Sequence, residues 1–181
     1  MGQRHIHYEA AFEAWLRAAR IPYVMVDEKR RALKHGGSLK SLDFIVSPPK
    51  QGNLLVDVKG RKYPRSHRTD GGKWTNWAHE EDLHYMQEWE ELFGAGFRAL
   101  LVFAYEAVLP EKYPELEPYF AFRNRYYSFF GVWADDYRAR DRLISPSWET
   151  VGLTAAEYRE VRFPLHELIA PAEFPSNRVP A

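Results

Sequence analysis

The chain contains 181 residues, 45% of them hydrophobic, and its 25 basic residues balance its 25 acidic residues. We expect a single globular domain over residues 1–170 with a substantial core, followed by a Pro-rich tail at 171–181. The lack of cysteine excludes a disulfide framework and thiolate chemistry. No apolar run is long enough to span a membrane, and residues 1–7 lack the apolar core of a signal peptide. These features predict a cytoplasmic protein without a membrane partner.

A helix is predicted over residues 8–20, because apolar side chains recur there at helical spacing. Glu9 projects about 20° from Leu16 around this helix, at the rim of the apolar stripe. Glu13 falls beside Arg17 on the solvated side, where an ion pair between positions i and i+4 is expected. Helix geometry alone leaves two roles open for Glu9, an ordinary rim carboxylate or a functional one. The stripe consists of Tyr8, Phe12, Trp15, Leu16 and Ala19.

The next segments lead to the centre of the chain. β-Branched and aromatic residues at 21–26 predict a strand, and the charged residues 27–40, which include two glycines, predict a loop. Residues 41–60 contain two apolar runs on either side of a turn rich in Pro, Gly and Asn, which predicts an antiparallel hairpin. Each run carries one carboxylate, Asp43 or Asp57, where a buried strand normally carries an aliphatic residue.

The hairpin predicts that these two carboxylates face each other. A register that pairs Ile45 with Leu55 also pairs Asp43 with Asp57, with their Cβ atoms about 5 Å apart. Like charges in this arrangement are destabilising unless they are neutralised, and the simplest neutralising group is a divalent cation. Two carboxylates completed by water suit Mg²⁺ or Mn²⁺. Lys59 shares a strand face with Asp57, because side chains alternate along a strand.

The remaining elements are predicted from periodicity and from capping residues. The helix at 77–93 is expected to end at Gly94, and its scattered histidines match no zinc motif. The loop at 60–77 concentrates basic residues in an otherwise neutral chain, so it can attract a polyanion. In chain order, the other predictions are a buried strand at 97–105, an insertion at 107–127, a strand at 129–133 and a short capped helix around 154–157.

The central stretch resembles the PD-(D/E)XK nuclease core. The resemblance rests on Asp43, followed after the hairpin by Asp57, Val58 and Lys59, with Leu42 in place of the proline of the motif. The predicted order of helix, strand, strand, strand, helix and strand is also that of this superfamily. The resemblance implies an α/β fold of the restriction-endonuclease type, with an αβββαβ core. Its central mixed sheet would be flanked by helices, with insertions at 60–77 and 107–127.

Over residues 7–106 the chain is similar to archaeal Holliday-junction resolvases. Glu9 stands where that family has the glutamate that opens its first helix, and 89–94 match the end of the family's second helix. Residues 7–13, with the sequence His-Tyr-Glu-Ala-Ala-Phe-Glu, also resemble an uncharacterised bacterial family named for this motif. The second resemblance implies a fold without a known substrate.

The nuclease resemblance implies an active site and a cofactor. Mg²⁺ or Mn²⁺ would be bound by Asp43, Asp57 and the backbone carbonyl of Val58, with Glu9 reaching the metal through water or orienting the attacking water. Lys59 would polarise that water and offset charge on the phosphate. The implied catalytic residues are therefore Glu9, Asp43, Asp57 and Lys59.

The same resemblance implies DNA as the partner and leaves a homodimer open. Exposed cations would contact the phosphate backbone and exposed aromatic rings would stack on bases, and packing or self-association is the other role left open for the two tryptophans. The predicted nucleic-acid-binding residues are Arg61, Lys62, Arg65, Arg68, Lys73, Trp74 and Trp77. We thus expect a metal-dependent DNA endonuclease. The alternative is a catalytically silent protein of the same fold that binds nucleic acid or a protein partner.

Overall fold

A computed structural model describes residues 3–26, 32–34, 37–64 and 74–169, and only the backbone at 3–6, 32–34 and 37–38. The predicted tail at 171–181 lies outside these ranges. In the described part of the chain, none of the helices has the length and hydropathy needed to cross a bilayer.

The described residues form five α-helices and twelve strands. The helices are α1 (Gln3–Ala18), α2 (Glu80–Phe93), α3 (Ala134–Arg138), α4 (Ala155–Val161) and α5 (Leu165–Ile169). The strands are β1 (Tyr23–Met25), β2 (Ala32–Lys34), β3 (Gly37–Leu39), β4 (Phe44–Val46), β5 (Asn53–Tyr63), β6 (Ala78–His79), β7 (Phe97–Ala107), β8 (Phe120–Phe122), β9 (Arg125–Trp133), β10 (Arg142–Ser145), β11 (Thr150–Gly152) and β12 (Phe163–Pro164).

The main sheet has the order β1-β4-β5-β7-β9-β12, and β8 pairs with β9. Strands β1, β4 and β5 form an antiparallel meander, β5 and β7 are parallel, and β7 and β9 are antiparallel. The parallel connection from β5 to β7 passes through α2, as a crossover between parallel strands requires. The predicted αβββαβ order is confirmed by α1, β1, β4, β5, α2 and β7.

Helix α1 covers one face of the main sheet. The predicted stripe is confirmed, because Phe12 and Leu16 are fully buried against sheet residues such as Phe44, Val56 and Val102. The helix begins at Gln3, earlier than predicted, since the polar residues ahead of Tyr8 include no helix-breaking residue. Burial of this stripe fixes the side of α1 that faces the sheet.

Helix α2 covers the opposite face, where Leu83 and Met86 pack with Leu55 and Phe103. The helix begins at Glu80 and not at Trp77, because Ala78 and His79 pair with β11 as strand β6. The predicted cap is confirmed, since Gly94 has a φ of 73° and its N–H donates to the Glu90 carbonyl at 2.8 Å.

Two predicted loops contain strands. Strands β2 and β3 form a hairpin where 27–40 was predicted as a loop, because ladder hydrogen bonds come from the backbone and do not require an apolar pattern. The insertion predicted at 107–127 contributes β8 and the start of β9, where aromatic residues favour strands. The capped helix is confirmed, since Thr154 and Glu157 form a reciprocal capping box at the start of α4.

Candidate active site

The predicted hairpin register is confirmed, because Ile45 lies opposite Leu55 in the β4–β5 pair. Asp43 precedes β4, and its backbone N–H donates to the Val56 carbonyl at 3.1 Å, one residue out of the regular register. Its carboxylate Oδ2 accepts a hydrogen bond from the Val58 N–H at 2.5 Å. Asp43 is therefore held by the backbone of the strand that carries Asp57.

Asp57 and Lys59 lie on the same face of β5, as alternation predicts. The Lys59 Nζ is 2.5 Å from Asp57 Oδ2 and 2.5 Å from Asp82 Oδ2. Asp82 projects from the first turn of α2, and its other oxygen pairs with the ammonium of Lys40. Four alternating charges thus run from Asp57 through Lys59 and Asp82 to Lys40.

The sequence predicts that a metal ion neutralises the charges of Asp43 and Asp57. In the structure Lys59 supplies part of this neutralisation, because its ammonium pairs with Asp57. Burial disfavours a charge on Lys59, but the carboxylates of Asp57 and Asp82 outweigh burial and raise the pKa of its ammonium. Burial would likewise raise the pKa of Asp82, yet the charges and hydrogen bonds of Lys59 and Lys40 lower it to about 2. Lys59 is therefore a cation throughout the physiological pH range.

The pKa of the Asp43 carboxyl group is shifted in the direction opposite to that of Asp82. Burial raises the pKa of its carboxyl group, and the negative charge of Asp57 raises it further, against the opposing hydrogen bond from Val58. The charge of Glu9 acts in the same direction, so α1 brings that carboxylate within electrostatic reach of Asp43. The structure thus brings Glu9 to the same end of the hairpin as Asp43.

The residues before Glu9 fix its helix against the sheet. The Tyr8 ring lies over Gly60, where an added Cβ would be 2.0 Å from the ring carbon Cδ2. The Tyr8 hydroxyl donates to Glu106 at 3.3 Å, and His7 Nδ1 lies 2.9 Å from the Tyr127 hydroxyl. Glu9 itself is half-buried. These contacts tie the start of α1 to β5, β7 and β9, and Glu9 follows directly.

Glu13 lies one turn further along α1 and behaves as predicted. Its Oε1 is 2.7 Å from the Arg17 guanidinium and accepts a hydrogen bond from the Tyr23 hydroxyl at 2.7 Å. Arg17 is exposed, so this ion pair faces solvent. The two glutamates of α1 therefore occupy different electrostatic environments.

The oxygen atoms at the hairpin end fit a divalent cation. Within the described ranges, Asp57 Oδ2 is buried, and it pairs with the Lys59 ammonium at 2.5 Å. The Val58 carbonyl lies on the same side of β5 as its N–H, which donates to Asp43, because both groups of a strand residue face one neighbour. Two carboxylates and a carbonyl form an all-oxygen set that suits Mg²⁺ or Mn²⁺ with bound waters. Among the described residues, no three histidine or acidic side chains form a metal-binding group.

The residues predicted to contact nucleic acid differ in their exposure. Lys62 is exposed, whereas Arg61 is only 6% exposed and its guanidinium lies 4.0 Å from the centre of the Trp77 ring. Arg61 also donates to the carbonyls of Gly60 and Trp77, and burial lowers its pKa. The structure therefore places Arg61 inside the protein. Predictions for three further residues lie outside the described ranges, namely Arg65, Arg68 and Lys73.

Trp74 is half-buried and belongs to the core beneath α2. Its ring packs edge-on against Tyr63 and Tyr105 with centroids 4.8 and 5.0 Å away. The guanidinium of Arg162 lies 3.8 Å from the ring centre. In this structure Trp74 packs against the core and the half-buried Trp77 ring packs against Arg61, and stacking on bases stays a prediction for both.

Sequence reasoning missed Asp82 and Lys40. Asp82 stands in an acidic run with Glu80 and Glu81, which resembles the solvated first turn of an ordinary helix. A signal was nevertheless present, because Asp82 lies four residues before Met86 and therefore on the stripe that packs against the sheet. Lys40 was assigned to a predicted loop, and no local pattern marked it.

Comparison with known proteins supports the fold. No protein-family model and no curated protein matches the chain. Among solved structures, a Holliday junction resolvase, Hjc, from Archaeoglobus fulgidus superposes with a TM-score of 0.53 at 9% sequence identity. The superposition covers 90% of this chain and 98% of the resolvase. The chain has a restriction-endonuclease-like fold. At this identity the similarity is one of architecture.

Proposed function

We propose that this protein is a metal-dependent endonuclease of the PD-(D/E)XK superfamily that hydrolyses DNA phosphodiester bonds. The observation that carries the proposal is the convergence of Asp43, Asp57 and Lys59 at one end of the β4–β5 hairpin, with the charge of Glu9 acting on Asp43. The similarity of fold to a DNA junction resolvase supports it. Assignment to the uncharacterised bacterial family named for the motif at 7–13 rests on that motif alone, since no family model matches the chain.

Each residue has a chemical role in this proposal. Asp43, Asp57 and the Val58 carbonyl would hold Mg²⁺ or Mn²⁺, which when bound lowers the pKa of water and offsets phosphate charge. Lys59 would donate a hydrogen bond to the phosphate or to the attacking water, since its carboxylate partners raise the pKa of its ammonium. Glu9 would orient that water by accepting a hydrogen bond from it.

We further propose DNA as the substrate and branched DNA as the first form to test, because the similar solved structure is a Holliday junction resolvase. Foreign DNA entering the cell is a second substrate class. Lys62 supplies an exposed cation on β5, three residues beyond Lys59 and on the opposite face of the strand. A homodimer is part of this proposal, and sedimentation or gel filtration of the full chain tests it.

The deciding experiment is a cleavage screen over single-stranded, duplex, flap and four-way-junction DNA with Mn²⁺, with Mg²⁺ and with chelator. We expect cleavage of at least one substrate with either metal, none with chelator, and none for Asp57→Asn at any metal concentration. Glu13→Gln serves as the control, because Glu13 pairs with Arg17 in solvent. Cleavage that survives Asp57→Asn would contradict the proposal.

A catalytically silent binding protein is the second candidate. It is favoured by the pairing of the Lys59 ammonium with two carboxylates and by the burial of Arg61 among the described residues. This candidate predicts that DNA or a protein partner is bound without cleavage under every condition of the screen. Binding measured by fluorescence anisotropy in the same samples separates the two.

A further inference from the structure

Asp82 is the most deeply buried carboxylate of the alternating charge chain, with 3% of its side chain exposed. Both of its oxygens are used, Oδ2 by Lys59 at 2.5 Å and Oδ1 by Lys40. The two lysines differ in exposure, since the Lys59 side chain is 13% exposed and the Lys40 side chain is 48% exposed. Lys59 is therefore a buried cation that depends on carboxylate partners, whereas Lys40 reaches water.

Lys59 occupies an atom that a cation would need. Its ammonium lies 2.5 Å from Asp57 Oδ2, which is buried. A divalent cation on Asp57 would repel this ammonium, and like charges at such distances interact strongly in a buried site. The ammonium then needs another carboxylate within reach, and Asp82 lies at the same distance on the far side.

We propose that Asp82 is a positioning residue that retains the Lys59 ammonium when Asp57 binds a divalent cation. Asp82 thereby lowers the cost of separating Lys59 from Asp57 and keeps the lysine beside the reacting phosphate. Lys40 compensates the additional negative charge from the solvent side. This inference rests on the proposed metal site and assigns a function to a residue of α2, outside the hairpin motif.

The proposal makes a specific prediction for metal affinity. In Asp82→Asn, Asp57 becomes the remaining carboxylate of the Lys59 ion pairs, so a metal ion must displace the ammonium from it. Since a hydrogen bond to a charged group is among the stronger ones, loss of the Lys59–Asp82 bond should lower the metal affinity of Asp82→Asn about tenfold or more. Glu81→Gln is the matched control, because it removes the same charge at the neighbouring position. The Glu81 side chain is exposed and accepts a hydrogen bond from the Tyr85 hydroxyl. Its affinity is expected to stay within about twofold, because exposed charges are screened.

The decisive test is a double-mutant cycle on Mn²⁺ binding, measured by calorimetry and by electron paramagnetic resonance without DNA. We expect Asp82→Asn to weaken binding in the wild type but to have less than about threefold effect in a Lys59→Met background. Asp82→Glu should restore most of the affinity. An undiminished loss in the Lys59→Met background would show that Asp82 acts as a distant charge, and would overturn the proposal.

A measurement on the wild type covers the case in which Asp82→Asn does not fold. With ¹⁵N-labelled lysine, the Lys59 ammonium protons should stay protected from solvent exchange when Mg²⁺ is added to saturation. Loss of protection would overturn the role of Asp82 and leave the proposed metal site intact. If the wild type bound neither Mn²⁺ nor Mg²⁺, the metal site and this inference would both be wrong.

Discussion

Gly60→Ala tests whether the packing of α1 on β5 positions Glu9. An alanine Cβ at this site would lie 2.0, 2.3 and 2.6 Å from three carbons of the Tyr8 ring. Since carbon atoms in contact are about 3.5–4.0 Å apart, the ring must withdraw by roughly 1.5 Å or more. The Tyr8 side chain is 7% exposed, and Cγ, at the base of its ring, is one of the three carbons. We therefore expect the displaced ring to shift the start of α1, and Glu9 with it.

Two effects of different size follow from this displacement. Overpacking of a buried site costs about 1–3 kcal/mol, so the free energy of unfolding should fall by that amount. A misplacement of about 1 Å in an active site costs about 100-fold in rate. Cleavage per folded molecule should therefore fall much more than the folded fraction. Unfolding in urea and DNA cleavage with Mn²⁺ measure the two quantities on one preparation.

Gly131→Ala is the matched control for this substitution. Its Cβ would lie 2.6 Å from the Phe163 ring, in the β9–β12 pair at the far side of the main sheet. Gly131→Ala should lower the free energy of unfolding by a similar amount and leave the cleavage rate per folded molecule unchanged. The reasoning is refuted if Gly60→Ala cuts DNA at the wild-type rate, or if Gly131→Ala impairs cleavage equally.

Three further predictions concern single charges. Glu9→Gln should reduce cleavage at least tenfold with little change in unfolding, whereas Glu13→Gln should cost at most about 0.5 kcal/mol and leave cleavage intact; reversal of this order in the two assays would contradict the assignment. The folded-state pKa of Asp82 is lowered from 3.8 to about 2, so its contribution of about 2 kcal/mol is present above pH 4 and is lost as the pH falls through 2. The difference in unfolding free energy between wild type and Asp82→Asn should therefore shrink between pH 6 and pH 2, and a constant difference in urea titrations would contradict the shift. Lys62→Gln should reduce the slope of log affinity against log salt by about one if this exposed lysine contacts a phosphate, and an unchanged slope in anisotropy titrations would exclude that contact.

The sequence by itself determined the local features of the fold and the hairpin half of the candidate site. The register that pairs Ile45 with Leu55 follows from strand alternation and from the turn, and so places Asp43 opposite the strand of Asp57. The Gly94 cap and the Thr154 capping box follow from interactions within one turn of chain. Such features are readable because the residues that stabilise them are neighbours in sequence.

Only the tertiary structure decided which distant groups meet at the hairpin. The Lys59–Asp82 pair and the Tyr8–Gly60 contact depend on where α2 and α1 cross the sheet, which helical periodicity does not specify. Arg61 shows the same limit, because hydropathy treats arginine as a surface residue, while its aliphatic stem and planar guanidinium can be buried against an aromatic ring such as Trp77. Periodicity predicts that a face is covered, but the partner that neutralises a buried charge is set by packing between elements far apart in the chain.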